Sequence, residues 1–344
     1  MATPQTALLL LLVQAKTVGA SDLHLQAGAP PLMRVDGKLQ PLRDEPLTPQ
    51  QSEALTLSLL DDMHRGQLQQ ERQVDLAAEV KGIGRFRINV FFQRETVAAA
   101  LRLIPTDPPA LESLGLPEVI SRFLEAPQGL FLVTGPTGSG KSTTLAALVD
   151  RINQREARHI ITLEDPIEYV YTPKHSLIAQ REIGRDVSDF PSGLRAALRE
   201  DPDVLLVGEM RDPLTIATAL TAAETGHLVF STLHTPDAAQ AIDRIVDCFP
   251  AAQQGQVRSQ LAGVLLGIVA QRLLPKVPSA RLAVAEVLVN TPAVASLIRQ
   301  QKIFQIPSTI ETGARYGMQS MAQAVRRAIE AKQLEAKEAE HLFD

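Results

Sequence analysis

Nine consecutive residues near the middle of the chain have the types and spacing of a phosphate-binding loop. They are Gly135, Pro136, Thr137, Gly138, Ser139, Gly140, Lys141, Ser142 and Thr143. Glycines let the backbone fold into a cradle of N–H groups, and the helix that follows adds partial positive charge. In such a G-x-x-x-x-G-K-S pattern, Lys141 reaches the β- and γ-phosphates and Ser142 binds Mg²⁺. We therefore predict a site for ATP and Mg²⁺ rather than a Gly/Ser-rich surface turn.

Acidic side chains follow two other predicted strands. Strand 159–164 ends in Glu164, and strand 203–208 is followed by Glu209. Ligands collect at the carboxyl ends of parallel strands, and ATP hydrolysis needs one carboxylate to orient water and another to hold Mg²⁺. We assign Glu164 as the base and Glu209, with Ser142, to the metal. The reverse assignment, and a solvated or helix-capping role for either acid, remain open.

Two histidines bracket the predicted strand 228–233. Seven residues of extended chain separate His227 from His234 by about 20 Å, so they cannot share one metal ion. His234 belongs to the edge that carries the phosphate loop and could sense the γ-phosphate. His227 belongs to the opposite edge, where a structural hydrogen bond is the simpler interpretation.

Arginines lie on two predicted strands within residues 1–105. Arg85, Arg87 and Arg94 are on or beside strand 85–91, and Arg102 is on strand 96–104. An arginine supplied by a neighbouring subunit can accelerate phosphoryl transfer by about 10³–10⁵. Arg87 and Arg102 are therefore candidates for such a role, although a solvated strand face explains the same pattern.

The composition limits the classes of function. The chain has 344 residues, 45% of them hydrophobic, and a formal net charge of −5, which describes a core-forming protein of about two domains. The acidic balance argues against a nucleic-acid partner. Cys248 is the only cysteine, so the sequence has neither an internal disulfide nor a cysteine-based zinc site.

The order of predicted elements divides the chain into two domains. Residues 1–105 read as a small α+β domain of three or four antiparallel strands, and the proline-rich stretch that follows makes 106–112 a linker. In residues 113–344 strands and helices alternate, which is typical of an α/β fold with a parallel sheet. We predict a long helix over 251–272, an edge strand over 282–289 and a terminal helical stretch over 318–343.

An apolar run at residues 7–13 is too short to cross a bilayer. No Lys or Arg precedes it, so it also lacks the charged start of a signal peptide. We predict a short buried helix there, and a cytoplasmic protein whose membrane contact is peripheral.

Taken together, these motifs resemble the secretion-superfamily ATPases of type II secretion and type IV pili, and among them the PilT-like pilus retraction ATPases. The matching segments, in order, are Ser21-Asp-Leu-His-Leu25, Gly84-Arg-Phe-Arg-Ile-Asn89, the phosphate loop, Ile161-Thr-Leu-Glu-Asp-Pro-Ile-Glu168, Leu206-Val-Gly-Glu-Met-Arg-Asp212 and Thr225-Gly-His-Leu-Val-Phe-Ser-Thr-Leu-His234. They cover nearly the full chain.

The resemblance implies a PAS-like N-terminal domain, a RecA-like ATPase domain and a homohexamer that binds nucleotide between subunits. It further implies Glu164 as general base, Arg87 and Arg102 as fingers, and functional roles for His227 and His234. The implied activity is ATP-driven pilus retraction, and hence twitching motility, through a platform protein of the inner membrane.

One segment departs from the family pattern. The C-terminal motif Ala-Ile-Arg-Asn-Leu-Ile-Arg-Glu of the retraction ATPases is replaced by residues 293–300, Ala-Val-Ala-Ser-Leu-Ile-Arg-Gln, with four of the eight residues matching. An accessory paralogue of the retraction motor therefore stays open as an alternative. A RecA-like nucleic-acid translocase is a second alternative, which the acidic composition disfavours.

Overall fold

The chain folds into two units, Met1–Thr106 and Asp107–Asp344. The computed structural model describes residues 3–35, 37–80, 82–104, 108–277 and 281–339. Parts of the predicted linker (106 and 107) and of the predicted terminal helix (340–343) lie outside the described residues.

The first unit is an antiparallel sheet covered by helices. Its strands are β1 (Asp22–Leu25), β2 (Leu32–Val35), β3 (Lys38–Pro41), β4 (Gln73–Val80), β5 (Gly84–Gln93) and β6 (Thr96–Ile104). The helices are α1 (Pro4–Thr17), α2 (Pro49–Leu57) and α3 (Asp62–Glu71). The sheet order is β3-β2-β1-β6-β5-β4. The prediction of three or four strands was too low, because the short β1, β2 and β3 join the same sheet as the long strands.

Alternation of side chains along the strands decides which face of this sheet is buried. Leu23, Ile88 and Leu101 point to the core that the three helices complete. On α1, Leu8, Leu11 and Leu12 are buried, so the predicted buried helix at the N-terminus is confirmed. Arg87 and Arg102 alternate with the core residues and are exposed on the other face.

The second unit has a mostly parallel sheet between two helical layers. Its strands are β7 (Gly129–Thr134), β8 (His159–Glu164), β9 (Leu177–Glu182), β10 (Val204–Val207), β11 (Leu228–Leu233), β12 (Leu265–Pro275) and β13 (Arg281–Val289). Its helices are α4 (Val119–Leu124), α5 (Lys141–Arg155), α6 (Phe190–Ala197), α7 (Pro213–Glu224), α8 (Ala238–Asp247), α9 (Ala251–Val264), α10 (Pro292–Arg299), α11 (Ile306–Thr312) and α12 (Met321–Glu330).

The order of this sheet is β13-β12-β7-β11-β10-β8-β9. β13 at the edge is antiparallel to β12, and the other neighbours are parallel. Every residue of β7, β10 and β11 is buried, because α4 and α5 pack on one face and α6 to α10 on the other. Continuous apolar strands are what two covered faces require, and the predicted α/β class is confirmed.

The predicted helix over 251–272 was wrong in its second half. α9 ends at Val264, and the chain continues directly as β12, paired with β7. A continuous apolar run fits a buried strand as well as a buried helix, and pairing with β7 decides between them. The terminal helical stretch was also shorter than predicted, since α12 ends at Glu330.

Alanine at Gly267 and at Gly255 should have opposite effects. A Cβ at Gly267, in β12, would lie 2.6 Å from Phe123 Cζ and 2.7 Å from the Leu288 carbonyl oxygen. We expect Gly267→Ala to lower the free energy of unfolding by about 1–3 kcal/mol. Gly255 lies in α9 with nothing within 4 Å of its Cβ position, so Gly255→Ala should raise it by about 0.5–1 kcal/mol. Denaturant unfolding of both variants measures these changes. If both substitutions stabilised the protein, the close packing of Gly267 within β12 would be contradicted.

Candidate nucleotide site

The phosphate loop connects β7 to α5, where the motif predicted it. Gly140 is the N-cap of α5 with φ 88°, a left-handed conformation that glycine adopts without strain. Close packing adds a second requirement for glycine, since a Cβ at Gly135 would lie 2.4 Å from the Gln271 carbonyl oxygen. The loop is thus held against β12 on one side and opens toward the helix N-terminus on the other.

Lys141 is folded back onto its own loop. Its Nζ donates hydrogen bonds to the carbonyl oxygens of Gly135 (2.8 Å) and Pro136 (3.0 Å), and only 8% of the residue is exposed. Burial lowers the pKa of this ammonium, and the nearby carboxylates of Glu168 and Glu209 partly oppose the shift. Neutral carbonyl groups are weaker partners for an ammonium than a negatively charged phosphate is. A bound phosphate would therefore be a better partner for Lys141 than the two carbonyls.

The hydroxyl groups of the loop differ in their surroundings. Ser139 Oγ is buried and has no hydrogen-bond partner among the described residues. Thr143 Oγ1 lies 3.1 Å from the hydroxyl of Tyr169. Ser142 lies in the first turn of α5 and is partly exposed. An unpartnered buried hydroxyl within a backbone cradle is consistent with a loop built to hold an oxyanion.

The strand order brings the predicted catalytic side chains to one edge of the sheet. The carboxyl ends of β7, β11, β10 and β8 follow one another there. The phosphate loop, His234, Glu209 and Glu164 therefore lie in this sequence along the edge. Because β11 lies between β7 and β10, the loop and Glu209 are separated by the width of one strand. A ligand can bind in that space, as ligands do at the carboxyl ends of the strands in open α/β sheets.

Glu164 is a buried carboxyl held by three hydrogen bonds. Its Oε1 accepts from Thr162 Oγ1 (2.7 Å) and Gln180 Nε2 (3.2 Å), and its Oε2 accepts from the Glu168 amide (3.4 Å). Burial raises the pKa of the Glu164 carboxyl, and these hydrogen bonds oppose the shift. A carboxyl with a raised pKa in a cleft is typical of general acid–base residues.

Glu209 lies between the side chains of Arg211 and His234. Its Oε1 pairs with Arg211 Nε at 2.7 Å, and its Oε2 lies 3.6 Å from His234 Nε2. The side chain is 18% exposed, and that of His234 is 46% exposed. The structure thus places His234 and Glu209 in contact on the nucleotide edge, an arrangement that the sequence motif did not predict.

His227 is not brought to the phosphate loop within the second unit. It precedes β11, at the amino edge of the sheet, and its Nδ1 lies 3.0 Å from the Ala222 carbonyl oxygen near the end of α7. This is the structural hydrogen bond that strand direction alone suggested for it.

The two candidate arginine fingers are cross-strand neighbours in the first unit. Arg87 on β5 pairs directly with Arg102 on β6, and Arg102 pairs in turn with Asp22 on β1. Arg102 Nε donates to Asp22 Oδ1 at 2.8 Å, while 68% of its side chain remains exposed. One acid thus orients Arg102 and leaves two adjacent guanidinium groups facing outward on the open face of the sheet.

Sequence reasoning missed two glutamines of the site. Gln180 lies on β9, a strand that was not predicted, and donates to Glu164 (3.2 Å) and to the Tyr169 carbonyl (2.7 Å). Gln271 lies on β12, in the segment predicted as helix, and contacts the phosphate loop. The apolar run around Gln271 was the available signal, since a polar residue inside a buried strand needs a partner.

Whether the site could hold a metal ion depends on the oxygen ligands near the phosphate loop. Among the described ranges, no group of three or more His, Cys, Asp or Glu side chains is arranged to hold a metal. A hydroxyl at Ser142 and a carboxylate at Glu209 are the hard oxygen ligands that Mg²⁺ accepts when phosphates complete its shell. The residues present therefore fit a metal that arrives with a nucleotide.

The fold and the loop together define a P-loop nucleotide-binding protein. The sequence profile of the type II/IV secretion system protein family matches residues 6–281, and the chain belongs to this family. It is 49% identical over 311 residues to the type IV pilus retraction ATPase PilT of Pseudomonas aeruginosa, covering 90% of both chains.

Two further comparisons agree with this assignment. The chain is 46% identical over 300 residues to the twitching motility protein of Neisseria gonorrhoeae, covering 87% of this chain and 80% of that one. The crystal structure of the pilus retraction motor PilT with bound ADP superposes with a TM-score of 0.90 at 49% identity, covering 95% of this chain and 94% of that one. The resemblance predicted from the motifs is confirmed.

The helices bear on whether the chain could cross a membrane. Within the described part of the chain, none of them combines the length and the apolar character needed to span a bilayer.

The buried Glu164 predicts how stability depends on pH. Its pKa in the folded state lies above the usual 4.5, so above pH 4.5 the Glu164 carboxyl is protonated more often in the folded state than in the unfolded chain. The contribution of Glu164 to stability must then fall as pH rises through this window. We expect the free energy of unfolding of the wild type, minus that of Glu164→Gln, to decrease from pH 4.5 upward.

Urea unfolding of the nucleotide-free proteins over a pH series measures this difference. Glu330→Gln, which alters an exposed carboxyl on α12, is the matched control and should not show the decrease. A difference for Glu164→Gln that stays constant or grows with pH would contradict the buried environment of Glu164.

Proposed function

We propose that this protein is an ATP-hydrolysing motor that powers type IV pilus retraction and hence twitching motility. The observation that carries the proposal is the strand order, which lines up the phosphate loop, His234, Glu209 and Glu164 on one edge. Support also comes from the similarity to relatives described as a retraction ATPase and a twitching motility protein.

In the proposed reaction, water attacks the γ-phosphate of ATP. Glu164, in its ionised form, orients this water and accepts its proton, since a carboxyl with a raised pKa is a stronger base. Lys141 exchanges its contacts with Gly135 and Pro136 for the β- and γ-phosphates. His234, next to Glu209, contacts the γ-phosphate and registers its loss.

Magnesium would be held by Ser142 and, directly or through water, by Glu209. When bound with the nucleotide, Mg²⁺ neutralises charge that develops on the phosphate oxygens. For Glu209 to contribute, its pairing with Arg211 must loosen, and the 73% exposure of the Arg211 side chain leaves that arginine free to move.

The proposal includes a homohexamer in which Arg87 and Arg102 act on the nucleotide of a neighbouring subunit. Their adjacent, exposed positions on one sheet face suit a planar donor pair for phosphate oxygens. His227, on the other edge of the sheet, stays a candidate catalytic residue on the family resemblance alone, and within its own subunit it contacts the Ala222 carbonyl. Closure of subunits around ATP would convert hydrolysis into movement.

The site of action that we propose is the cytoplasmic face of the inner membrane. There the ring would contact a platform protein of the pilus machinery, without spanning the bilayer and without a nucleic-acid partner. The residues of α10, which contain most of the altered 293–300 segment, bear on whether this chain is the main motor or an accessory one.

Turnover and retraction together test the function. Lys141→Ala removes the phosphate contact and Glu164→Gln removes the base, so each should lower ATP turnover by about 10²-fold or more. Cells that carry either variant as the sole copy should not retract pili. Turnover of the wild type no higher than that of the variants would exclude the motor.

Two other outcomes separate the alternatives. Robust wild-type turnover without retraction would identify an accessory paralogue, and stimulation by DNA would favour a translocase.

Mixing of variants tests the arginines in trans. Arg102→Ala leaves the phosphate loop intact, and Lys141→Ala leaves the arginines intact. Each alone should lose most of its turnover, by about 10³-fold for the finger. After subunit exchange, mixed rings should regain part of it, because a Lys141→Ala subunit can supply Arg102 to its neighbour.

A mixture of Lys141→Ala with Glu164→Gln is the control. It should regain no turnover, since both changes lie in the second unit and every subunit of the mixture then carries a damaged nucleotide site. Recovery is measured as ATP turnover on rings whose mixed composition is verified with two affinity tags. Wild-type turnover by Arg102→Ala alone, or verified mixed rings without recovery, would contradict fingers in trans.

A further inference from the structure

Gln271 is a buried polar residue that contacts the phosphate loop at Ser139 and the helix after the loop at Thr144. It lies on β12 and is 2% exposed. Its Nε2 donates to the carbonyl oxygen of Ser139 at 2.8 Å, and its Oε1 accepts from Thr144 Oγ1 at 2.8 Å. One side chain therefore joins the last turn of the loop to the first turn of α5, across 127 residues of sequence.

The two partners leave no doubt about the orientation of the Gln271 amide. A main-chain carbonyl can only accept and must face the NH₂ group, so the Thr144 hydroxyl must donate to the amide oxygen. Both hydrogen-bonding ends of the side chain are thus satisfied inside the protein, where a broken bond is costly. The contact is also tight, because a Cβ at Gly140 would lie 2.8 Å from Gln271 Nε2.

This contact sets the direction of one N–H group in the cradle. In a trans peptide the C=O of one residue and the N–H of the next point in opposite directions. Because Gln271 holds the Ser139 carbonyl toward β12, the Gly140 N–H is directed away from β12, to the side where phosphate binds. Gly140 can otherwise adopt many backbone conformations, so an external contact is needed to select this one.

The other end of the side chain acts on the helix. Thr144 follows the loop by one residue, and its amide donates to the Gly140 carbonyl at 3.0 Å. Gln271 therefore holds Thr144, and through it the first turn of α5, in fixed relation to the Ser139–Gly140 peptide. The N–H groups of Lys141 and Ser142 lie in that same turn.

We propose that Gln271 is a positioning residue for the phosphate-binding N–H groups, acting through Ser139, Gly140 and Thr144 without touching the nucleotide. This role of Gln271 rests on one part of the proposed function, namely that the loop binds a nucleotide. It predicts a defect in nucleotide affinity that is larger than any defect in folding.

Three variants separate the two ends of Gln271. Gln271→Leu removes both hydrogen bonds at similar size. Gln271→Glu keeps the acceptor for Thr144 but replaces the donor to Ser139 by a negative charge. Thr144→Val removes the helix contact alone. We expect the Kd for ADP, and the KM for ATP, to rise about tenfold or more for both Gln271 variants, with a smaller change in kcat and a smaller effect of Thr144→Val.

The matched control is a second buried glutamine of the same unit. Gln319 is 6% exposed, donates to the Ala285 carbonyl at 2.7 Å and accepts from Arg327 at 2.9 Å. Gln319→Leu also loses two side-chain hydrogen bonds, one to a backbone carbonyl and one from the Arg327 guanidinium, without involving the loop. Because a bond from a charged donor is the stronger kind, it should lower the Tm of the nucleotide-free protein at least as much as Gln271→Leu does, yet leave the Kd for ADP unchanged.

ADP titration by calorimetry and thermal unfolding with and without ADP provide the readouts. A Kd of Gln271→Leu within twofold of wild type would overturn the proposal, as would equal shifts for the Gln319 control. If Gln271→Leu does not fold, Gln271→Glu decides by the same criterion. ADP binding without ATP turnover in the wild type would instead contradict the proposed motor and leave the role of Gln271 intact.

Discussion

The hydrogen-bonded pairing of β7 with β11 on one side and β12 on the other is the constraint on which the site depends. β7 delivers the phosphate loop, and each neighbour holds one end of it. From the β11 side, the carbonyl oxygen of Thr235 accepts from Thr134 Oγ1 at 2.6 Å. From the β12 side, Gln271 binds Ser139 at 2.8 Å. A loop rich in glycine has little conformational preference of its own, so its shape is imposed by these two strands.

The same pairing explains the positions of the acids. Because β11 separates β7 from β10, Glu209 lies two strands from the loop and Glu164 three. A short chain segment could not hold a base at that distance, whereas a sheet does so with rigid elements. Burial then raises the pKa of Glu164 and lowers that of Lys141. Both shifts have the same physical cause, since removing a charged group from water disfavours its charged form. A bound phosphate would favour the charged form of Lys141, because it supplies an opposite charge.

The features that could be predicted from the sequence are those that depend only on residues close together in the chain. The phosphate loop, and Glu164 and Glu209 at the ends of apolar runs, follow from short patterns that hold wherever the strands lie in the sheet. Strand order and neighbours are set by packing between distant segments, so the contact of His234 with Glu209 could not be predicted. Gln271 was missed for the same reason, since only pairing with β7 shows that its apolar run is a strand.

Charge balance supports the proposal that cations from outside the second unit complete the site. Glu164 and Glu209 lie on the edge that would receive ATP, and the exposed Glu168 is close enough to oppose the lowering of the Lys141 pKa by burial. Within the described second unit, Glu209 pairs with the Arg211 guanidinium and lies near the His234 imidazole, so Arg211 is the permanent cation in contact with it. A triphosphate would add several negative charges beside these carboxylates, and Lys141 can offset only part of them. Further cations would offset the rest, and this is the role that we propose for Mg²⁺ and for the adjacent, exposed Arg87 and Arg102 of a neighbouring subunit.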